Sequence, residues 1–468
     1  MGGLFGCAMK SDCTMDLFYG TDYHSHLGTK RGGMAVKNSR GMAKAIKNIE
    51  NSYFRTKFES ELPNLEGNRG IGVISDNDSQ PLIIGSHLGT FGIATVAKIN
   101  NLSELASTAF ERGIHFSEAG EGRVNPTELV GMLVSQEDSF VNGIKGAQAA
   151  IQGSCSLLLL TEKGIYAARD RLGRTPLVLG RKDGGYAATS ETTAFFNLGY
   201  EAVHYLGPGE IVLITPDGYE TVSPPGEQMQ VCAFLWVYYG YPASSYEGIS
   251  VEWVRYRCGR ALALADDTPV DAVSGIPDSG TGHAVGYANE KQIPYMRPFV
   301  KYTPTWPRSF MPQNQQDRDL VARMKLIPVP ALIKGKRLMF CDDSIVRGTQ
   351  LKDNVRTLYD AGAKEVHMRI ACPPLVYPCL FLNFSTSRST LDLAGRKAIY
   401  DLEGIDQEEI IHGYADPDRE KTWEMVEKIR EKLGLSSLKY QRLEDMIAAI
   451  GLPREKLCTH CWDGSSYY

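Results

Sequence analysis

The sequence predicts two unlike halves: an α+β first half built on hairpin-rich sheets and an α/β second half built on a mostly parallel sheet. Three observations predict this. Up to about Ser223 the apolar segments are short and punctuated by glycine, as in Gly70-Ile-Gly-Val-Ile, Ser156 to Thr161, Gly164-Ile-Tyr-Ala-Ala, Pro176-Leu-Val-Leu-Gly and Gly209-Glu-Ile-Val-Leu-Ile, the rhythm of strands joined by tight turns. Beyond about Val231 strands alternate with helices, the order that builds a parallel sheet. Between the two, Ser223-Pro-Pro-Gly-Glu breaks both helix and ladder. A chain of 468 residues has room for two or three domains. The expected bounds are 1–225, 231–400 and a C-terminal helical tail over 401–468.

The second half reads element by element. Val270-Asp-Ala-Val-Ser-Gly is expected as a strand, Thr281 to Lys291 as a helix and Ile293-Pro-Tyr-Met-Arg-Pro-Phe-Val as the next strand; Arg337-Leu-Met-Phe-Cys, Leu351 to Ala361 and Glu365 to Ala371 repeat the pattern. In the tail, Arg419 to Leu433 stops at Gly434 and Ser437 to Ile450 stops at Gly451, each with apolar residues at helical spacing. The charged stretch Asp416 to Lys432 reads as a solvated helix face.

Composition narrows the function classes. With 43% apolar and 22% charged residues the chain can bury a full core, which excludes wholesale disorder and collagen-like repeats. The balance of 50 Lys+Arg against 55 Asp+Glu leaves a net charge of -5, so there is no global positive field for nucleic acid or an anionic membrane surface. The longest aliphatic run, Leu157 to Leu160, is far short of a membrane span. The start Met1-Gly-Gly-Leu-Phe-Gly has no basic region followed by an apolar one, and ten scattered cysteines are too few for a secreted disulfide framework. A cytoplasmic protein is expected.

The sharpest chemical signal is Arg337-Leu-Met-Phe-Cys-Asp-Asp-Ser-Ile-Val-Arg-Gly-Thr-Gln. An apolar strand delivers adjacent carboxylates, Asp342 and Asp343, followed at once by Ser344, Gly348 and Thr349 ahead of a helix. Such a loop offers backbone N–H groups and hydroxyls to a phosphate at the helix N-terminus, while the carboxylates can hold a ribose diol or a Mg²⁺-bound pyrophosphate. An isolated Asp-Asp-Ser would do no more than cap a solvated turn; the run through Gly348-Thr349 in a β-α-β setting favours phosphate binding.

This run resembles the signature with which type I phosphoribosyltransferases bind phosphoribosyl pyrophosphate (PRPP). Gly275-Ile-Pro-Asp-Ser-Gly, Arg323-Met-Lys-Leu, Ser344-Ile-Val-Arg-Gly-Thr and Cys372-Pro-Pro-Leu-Val-Tyr-Pro-Cys379 stand in the order found in the glutamine PRPP amidotransferase family. Gly2-Gly-Leu-Phe-Gly, Ala168-Arg-Asp-Arg-Leu-Gly-Arg-Thr-Pro-Leu, Ser190-Glu-Thr and Pro208-Gly-Glu extend the resemblance into the first half. The resemblance implies an Ntn-hydrolase-like four-layer sandwich followed by a phosphoribosyltransferase domain. It also implies an activity in purine biosynthesis in which ammonia displaces pyrophosphate from PRPP. By role, Asp342 and Asp343 would engage the ribose hydroxyls and Mg²⁺, Ser344, Arg347, Gly348 and Thr349 would cradle the 5′-phosphate, and Asp278 and Ser279 would line the pyrophosphate side. Lys301 and Arg308 lie in the stretch matching the loop that closes over PRPP in the family.

The first half departs from the family's pattern. The family's nucleophilic cysteine stands where this sequence has Gly2, which has no side chain to attack with. The Arg that binds the substrate carboxylate falls at Ser75, the Asn of the oxyanion hole at Leu88, and the Asp that holds the substrate ammonium at Pro126. Loss of one oxyanion donor alone costs about 10² to 10³ in rate. Cys7 and Cys13 are expected as small buried residues, as are Cys155, Cys258, Cys341 and Cys372. His24, His26 and His87 fit no compact metal motif. A glutaminase scaffold without glutaminase chemistry is the expectation.

A second constellation is Cys232, Cys379, Cys458 and Cys461. Cys458-Thr-His-Cys461 spaces two thiolates for one metal centre. All four fall where family members with a cluster place their ligands, so the resemblance implies a structural 4Fe-4S cluster, ahead of a zinc site or unliganded thiols. The expected activity is phosphoribosyl transfer to ammonia or a small amine, with glutamine hydrolysis lost. The alternative is a non-catalytic subunit that binds PRPP or purine nucleotide. The resemblance also implies a homodimer or homotetramer, and a separate glutaminase partner is a third possibility.

Overall fold

The computed structural model describes residues 2–467 apart from 77, 118, 121–122, 303–325, 384–388 and 417. Its first half holds β1 (Gly2–Met9), β2 (Arg31–Asn38), β3 (Gly41–Asn48), β4 (Arg69–Ser75), β5 (Leu82–Ser86), β6 (Gly89–Ile99), β7 (Gly153–Leu160), β8 (Ile165–Ala168), β9 (Val178–Lys182), β10 (Gly185–Thr189), β11 (Glu201–Tyr205), β12 (Ile211–Thr215) and β13 (Gly218–Ser223). These form a seven-stranded sheet in the order β11-β9-β10-β1-β4-β2-β3 and a six-stranded sheet in the order β13-β12-β8-β7-β6-β5. The alternation of side chains along a strand builds the layers. In β1, Leu4 and Ala8 point into the core between the sheets, where Val96, Leu158 and Leu160 meet them. Phe5, Cys7 and Met9 point the other way, onto Leu17 and Phe18 of α1 (Thr14–Asp22). In β7, Leu157 and Leu159 face α2 (Pro126–Val134) and α3 (Phe140–Ala150) through Val130, Val134 and Ile144. The result is helix, sheet, sheet, helix, the four-layer sandwich expected.

Residues 224–230 carry neither helix nor strand. Beyond them come β14 (Val231–Cys232), α4 (Val251–Leu264), β15 (Ala272–Gly275), α5 (Thr281–Lys291), β16 (Phe299–Lys301), β17 (Leu326–Pro328), β18 (Arg337–Asp342), α6 (Thr349–Asp360), β19 (Glu365–Ile370), α7 (Ala394–Glu403), α8 (Glu420–Leu433), β20 (Ser437–Tyr440), α9 (Leu443–Ile450) and β21 (Leu457–Cys458). The main sheet runs β15-β18-β19-β20 and is parallel throughout. No described helix is long and apolar enough to cross a membrane.

Two expectations are corrected. Ser437 to Ile450 is not one helix: Ser437–Tyr440 is the edge strand of the parallel sheet, and only Leu443–Ile450 is helical. The open edge of β19 satisfies its backbone groups with this segment, and that tertiary demand outweighs local helical periodicity. Ile293 to Val300 is not a strand of the sheet. It meets β15 through a single bridge, Val273 to Tyr295, and then pairs as β16 with β17 outside the sheet. Pro294 and Pro298 lack the N–H that a ladder requires.

One buried ion pair ties the parallel sheet to its helices. Arg369 of β19 donates to Asp266, just past α4, through Nε at 2.6 Å and Nη2 at 3.0 Å. The Tyr287 hydroxyl of α5 and the Lys439 ammonium of β20 donate to the same carboxylate at 2.7 and 3.0 Å. Burial raises the Asp266 carboxyl, but these hydrogen bonds outweigh it and hold the group well below the usual carboxylate range. A depressed folded-state value means that the stabilisation is present above the unfolded pKa of about 3.9 and is lost as pH falls below it. Asp266→Asn is expected to lower the unfolding free energy by about 3–5 kcal/mol near neutral pH. Urea unfolding at a series of pH values should show the gap from the unsubstituted chain closing below about pH 4.

Candidate active site

Strand β18 lies between β15 and β19, so Leu338 to Cys341 are buried on both faces and read as one apolar run. Its C-terminal end delivers Asp342 and Asp343, only 9% and 3% exposed. The Ser279 hydroxyl donates to Asp342 Oδ1 at 2.7 Å and the Asp343 N–H donates to the same oxygen at 3.0 Å. The Ser344 hydroxyl donates to Asp343 Oδ2 at 2.7 Å. Burial pushes the Asp342 carboxyl well above its usual range, and the like charge of Asp343 pushes it further. Burial also raises Asp343, opposed by hydrogen bonds from its neighbours and by the Arg255 guanidinium. Two adjacent carboxyls held this way gain from any cation or hydroxyl pair brought to them.

Arg255 was missed in the sequence. It is 4% exposed, and its guanidinium donates to the carbonyls of Trp236, Tyr238 and Gly240 at 3.1, 2.9 and 2.7 Å. The signal was present: Arg255 stands on the same helical stripe of α4 as buried Val251, Cys258 and Leu262, where an apolar residue is the norm.

From Asp343 the chain turns through Ser344 to Gly348 into α6. Gly348 has a φ of 77°, a left-handed conformation that glycine adopts without a Cβ penalty. No side chain caps α6, and its first-turn residues Thr349, Gln350 and Leu351 line the same opening as the turn. That opening is a cleft of about 1300 Å³. The second half contributes Asp342, Ser344, Arg347, Gly348, Thr349 and Lys301 to it; Ser25, His26, Glu50 and Tyr53 of the first half form the facing wall. Asp278 and Lys301 pair at 2.6 Å, both exposed, and Arg347 lies 3.7 Å from Asp392. The structure thus gathers Asp342, Asp343, Asp278, Ser279, Lys301, Ser344, Arg347, Gly348 and Thr349 at one end of the parallel sheet. Arg308, like the motif at Arg323, lies outside the described residues.

The cysteines form a second locus beside the cleft, which Cys379 and Cys461 line. Cys232 and Cys458 face each other as register partners in the parallel pair β14 and β21. The Cys379 and Cys461 thiols are hydrogen-bonded, and that bond, the N–H groups of Phe381 and Leu382 and the Lys98 ammonium bring Cys379 down to about 6 against the effect of burial. The Leu382 N–H donates to Cys379 Sγ at 3.2 Å. Burial pushes Cys232 well up, with Cys458 and Cys379 adding to the shift. All four sulfurs therefore lie within electrostatic reach of one another. Among the described residues, no three or more His, Cys, Asp or Glu side chains are disposed around a single metal ion.

In the first half, Gly2 pairs with Ser75 across β1 and β4. A Cβ on Gly2 would lie 2.5 Å from the Ile74 carbonyl oxygen, so this backbone has no room for a side chain there. Both residues line a cavity of about 20 Å³. Leu88 sits in the turn between β5 and β6 and Pro126 opens α2; neither lines that cavity. Cys7 is fully buried and its thiol is pushed well up, mainly by burial. Cys13, Cys155, Cys258, Cys341 and Cys372 are buried too. The histidines do not converge. His24 is bonded to Gly20 O and Thr189 and is brought down to about 4 by burial, His87 meets Glu137 O, and His26 pairs with Glu191 at 2.9 Å.

Glu191, in Ser190-Glu-Thr, was also missed. It is 1% exposed and joins the halves by accepting the Tyr246 hydroxyl at 2.6 Å and the Tyr241 N–H at 3.2 Å. Arg169 and Arg174 of the same resemblance are equally buried. Arg169 pairs with Glu247 at 2.7 Å, while Arg174 donates to Gln230 at 2.9 Å and stacks 3.5 Å over Phe381.

Comparison with known proteins gives three findings. A family profile described as a glutamine amidotransferase domain matches residues 68–197. The chain is 31% identical to an amidophosphoribosyltransferase of Mycobacterium tuberculosis over 99% of its own length and 85% of that protein's. It is 30% identical to one of Methanocaldococcus jannaschii over 99% and 97% of the two lengths. Among solved structures, the glutamine PRPP amidotransferase of B. subtilis complexed with ADP and GMP superposes with a TM-score of 0.84 at 26% identity, covering 99% of this chain and 97% of that one.

The left-handed Gly348 gives a test of the turn that needs no ligand. Gly348→Ala is expected to lower stability by about 1–2 kcal/mol, the cost of placing a Cβ in that conformation. Denaturant unfolding measures it, and an unchanged midpoint would mean that the turn has another shape.

Proposed function

The chain belongs to the amidophosphoribosyltransferase family, and from that premise we propose that it transfers the phosphoribosyl group of PRPP to ammonia or a small amine without hydrolysing glutamine. It is an enzyme of the glycosyltransferase type. The observation that carries the reading is the buried carboxylate pair, which opens into a glycine turn and an uncapped helix on the wall of a large cleft. Residues 1–225 serve as the amidotransferase-like domain, 231–400 as the phosphoribosyltransferase domain, and 401–468 as a tail that carries the last two cysteines.

By role, the N–H groups of the turn with Ser344, Arg347, Gly348 and Thr349 bind the 5′-phosphate. Asp342 and Asp343 hold the ribose hydroxyls. Asp278, Ser279, Lys301 and Arg308 serve the pyrophosphate side. The C1–O bond to pyrophosphate breaks as the C1–N bond to the amine forms, and the nitrogen then loses a proton, giving phosphoribosylamine and pyrophosphate. Positive charge develops on the ribose in between, and the carboxylates at the strand end stabilise it. The carboxylate pair fits Mg²⁺, which uses one or two carboxylates together with substrate phosphates. Bound there, it would neutralise the leaving pyrophosphate. A purine nucleotide is a proposed regulatory ligand, on the strength of the relative crystallised with ADP and GMP.

The same reading assigns a 4Fe-4S cluster to Cys232, Cys379, Cys458 and Cys461. The donor set supports it: buried sulfurs that accept backbone N–H bonds, from Phe234 and Leu235 to Cys232, from Phe381 and Leu382 to Cys379 and from His460 to Cys458. Such bonds favour thiolate, and a multi-iron cluster asks each sulfur to reach its own iron. When bound, the cluster would tie the start of the second domain to the tail. Loss of glutamine hydrolysis is supported by Gly2 with its closed backbone, by Ser75, Leu88 and Pro126, and by the burial of Cys7.

Pyrophosphate release by the purified chain with PRPP and Mg²⁺ tests this function. Ammonium is expected to support turnover and glutamine not to. Asp343→Asn should lower kcat/KM by about 10² or more. Gly2→Cys should not restore glutamine use, because the new Cβ would collide with the Ile74 carbonyl. Tight PRPP binding with no turnover from any amine would instead identify a PRPP-binding regulator. Iron and sulfide in equal amounts are expected after anaerobic purification, and a colourless zinc-loaded protein contradicts the cluster.

A further inference from the structure

The first half reaches the cysteine locus through Arg174 and through the end of β6. Arg174 is fully buried, and its guanidinium lies 3.5 Å over the ring of Phe381, which follows closely on Cys379. Its backbone carbonyl accepts the Cys232 N–H at 3.2 Å. Burial raises the Cys458 thiol, and the Arg174 guanidinium, hydrogen-bonded to that sulfur, is the largest influence in the other direction. The end of β6 holds the segment around Cys379. The Lys98 ammonium donates to the Cys379 carbonyl, the Asn100 carboxamide donates to Leu380 O at 2.8 Å, and the Ala97 carbonyl accepts from the Asn383 carboxamide at 3.0 Å. Among the described residues no carboxylate pairs with Lys98. Cations of the first half thus stand beside sulfurs of the second.

We propose that Arg174 and Lys98 are the counter-ions of the cysteine centre, so that a first half without glutaminase chemistry supplies the charge that lets the second half hold an anionic iron–sulfur cluster. The inference rests on the cluster reading given above. Four thiolates outweigh the charge of a 4Fe-4S core, so the filled centre is a net anion, and an added electron makes it more negative. An anion enclosed in protein is costly unless opposite charge stands beside it. Backbone N–H groups bring partial charges to these sulfurs; Arg174 and Lys98 bring whole ones. Neither side chain would touch iron. Each acts through a sulfur or the segment that carries it, as a positioning residue.

The reduction potential of the loaded full chain, read from bleaching of the cluster's visible absorbance in an anaerobic redox titration, tests this without turnover. Arg174→Gln and Lys98→Gln each keep a hydrogen-bond donor and remove a charge. Each is expected to make the cluster at least about tenfold harder to reduce, a downward shift of about 59 mV for one electron, and to speed iron loss to a chelator. Lys98→Arg keeps the charge and should stay with the unsubstituted chain. A side chain that only filled space would act in the opposite sense, because its loss admits water, and water favours the more highly charged reduced state. Unmoved or raised potentials in both Gln variants overturn the proposal. Lys98→Gln, at a half-buried position, keeps the test decisive if Arg174→Gln does not fold. A preparation that holds zinc or no metal refutes the cluster reading and the counter-ions with it, whereas a loaded cluster with unmoved potentials refutes the counter-ions alone.

Discussion

Two carboxyl groups side by side, both nearly removed from water, are a costly arrangement, and the residues around them in the second half hold them there. A buried carboxylate demands hydrogen bonds or an opposite charge. Asp342 draws on Ser279 from the loop after β15 and on the backbone of its neighbour; Asp343 draws on Ser344 and on the field of Arg255. The Arg255 guanidinium is itself fixed by three carbonyls of the segment that follows β14. A ligand that carries a cation and hydroxyls, as the proposed function requires, would supply what these partners leave unmet.

The same segment connects the pair to the first half. The Trp236, Tyr238 and Gly240 carbonyls hold Arg255, and a few residues on, the Tyr241 N–H and Tyr246 hydroxyl hold Glu191, which in turn holds His26 on the far wall of the cleft. A first half with no room for a side chain at position 2 therefore still has work in the fold. It builds one wall of the cleft, pairs Arg169 with Glu247 of the second half, and through Arg174, stacked on Phe381, packs beside Cys379 and Cys458.

Much of this was legible because the residues concerned are contiguous. Asp342 to Thr349 is one run, and its strand and helix could be bounded from pattern alone. The two-sheet sandwich was legible only through resemblance; alternation in β1 and β7 explains it once the partners are known. What stayed hidden depends on partners distant in sequence. Ser437 to Tyr440 has the composition of a helix start and became a strand because β19 had an open edge. Arg255 and Glu191 are ordinary charged residues until burial makes them joints between elements. The cavity near Ser154 is formed by residues from five separate stretches, with no motif to mark it.

Proton release on ligand binding tests the central claim most directly. Burial and the like charge of Asp343 push the Asp342 carboxyl up, and binding of magnesium and PRPP should push it back down, so binding is coupled to proton release over the pH range in which the free site titrates. Calorimetric titration at a series of pH values, in buffers of differing ionisation enthalpy, measures that proton. The account predicts release by the unsubstituted chain and its loss in Asp342→Asn. Binding of PRPP with no proton exchanged, and no change on that substitution, would contradict it.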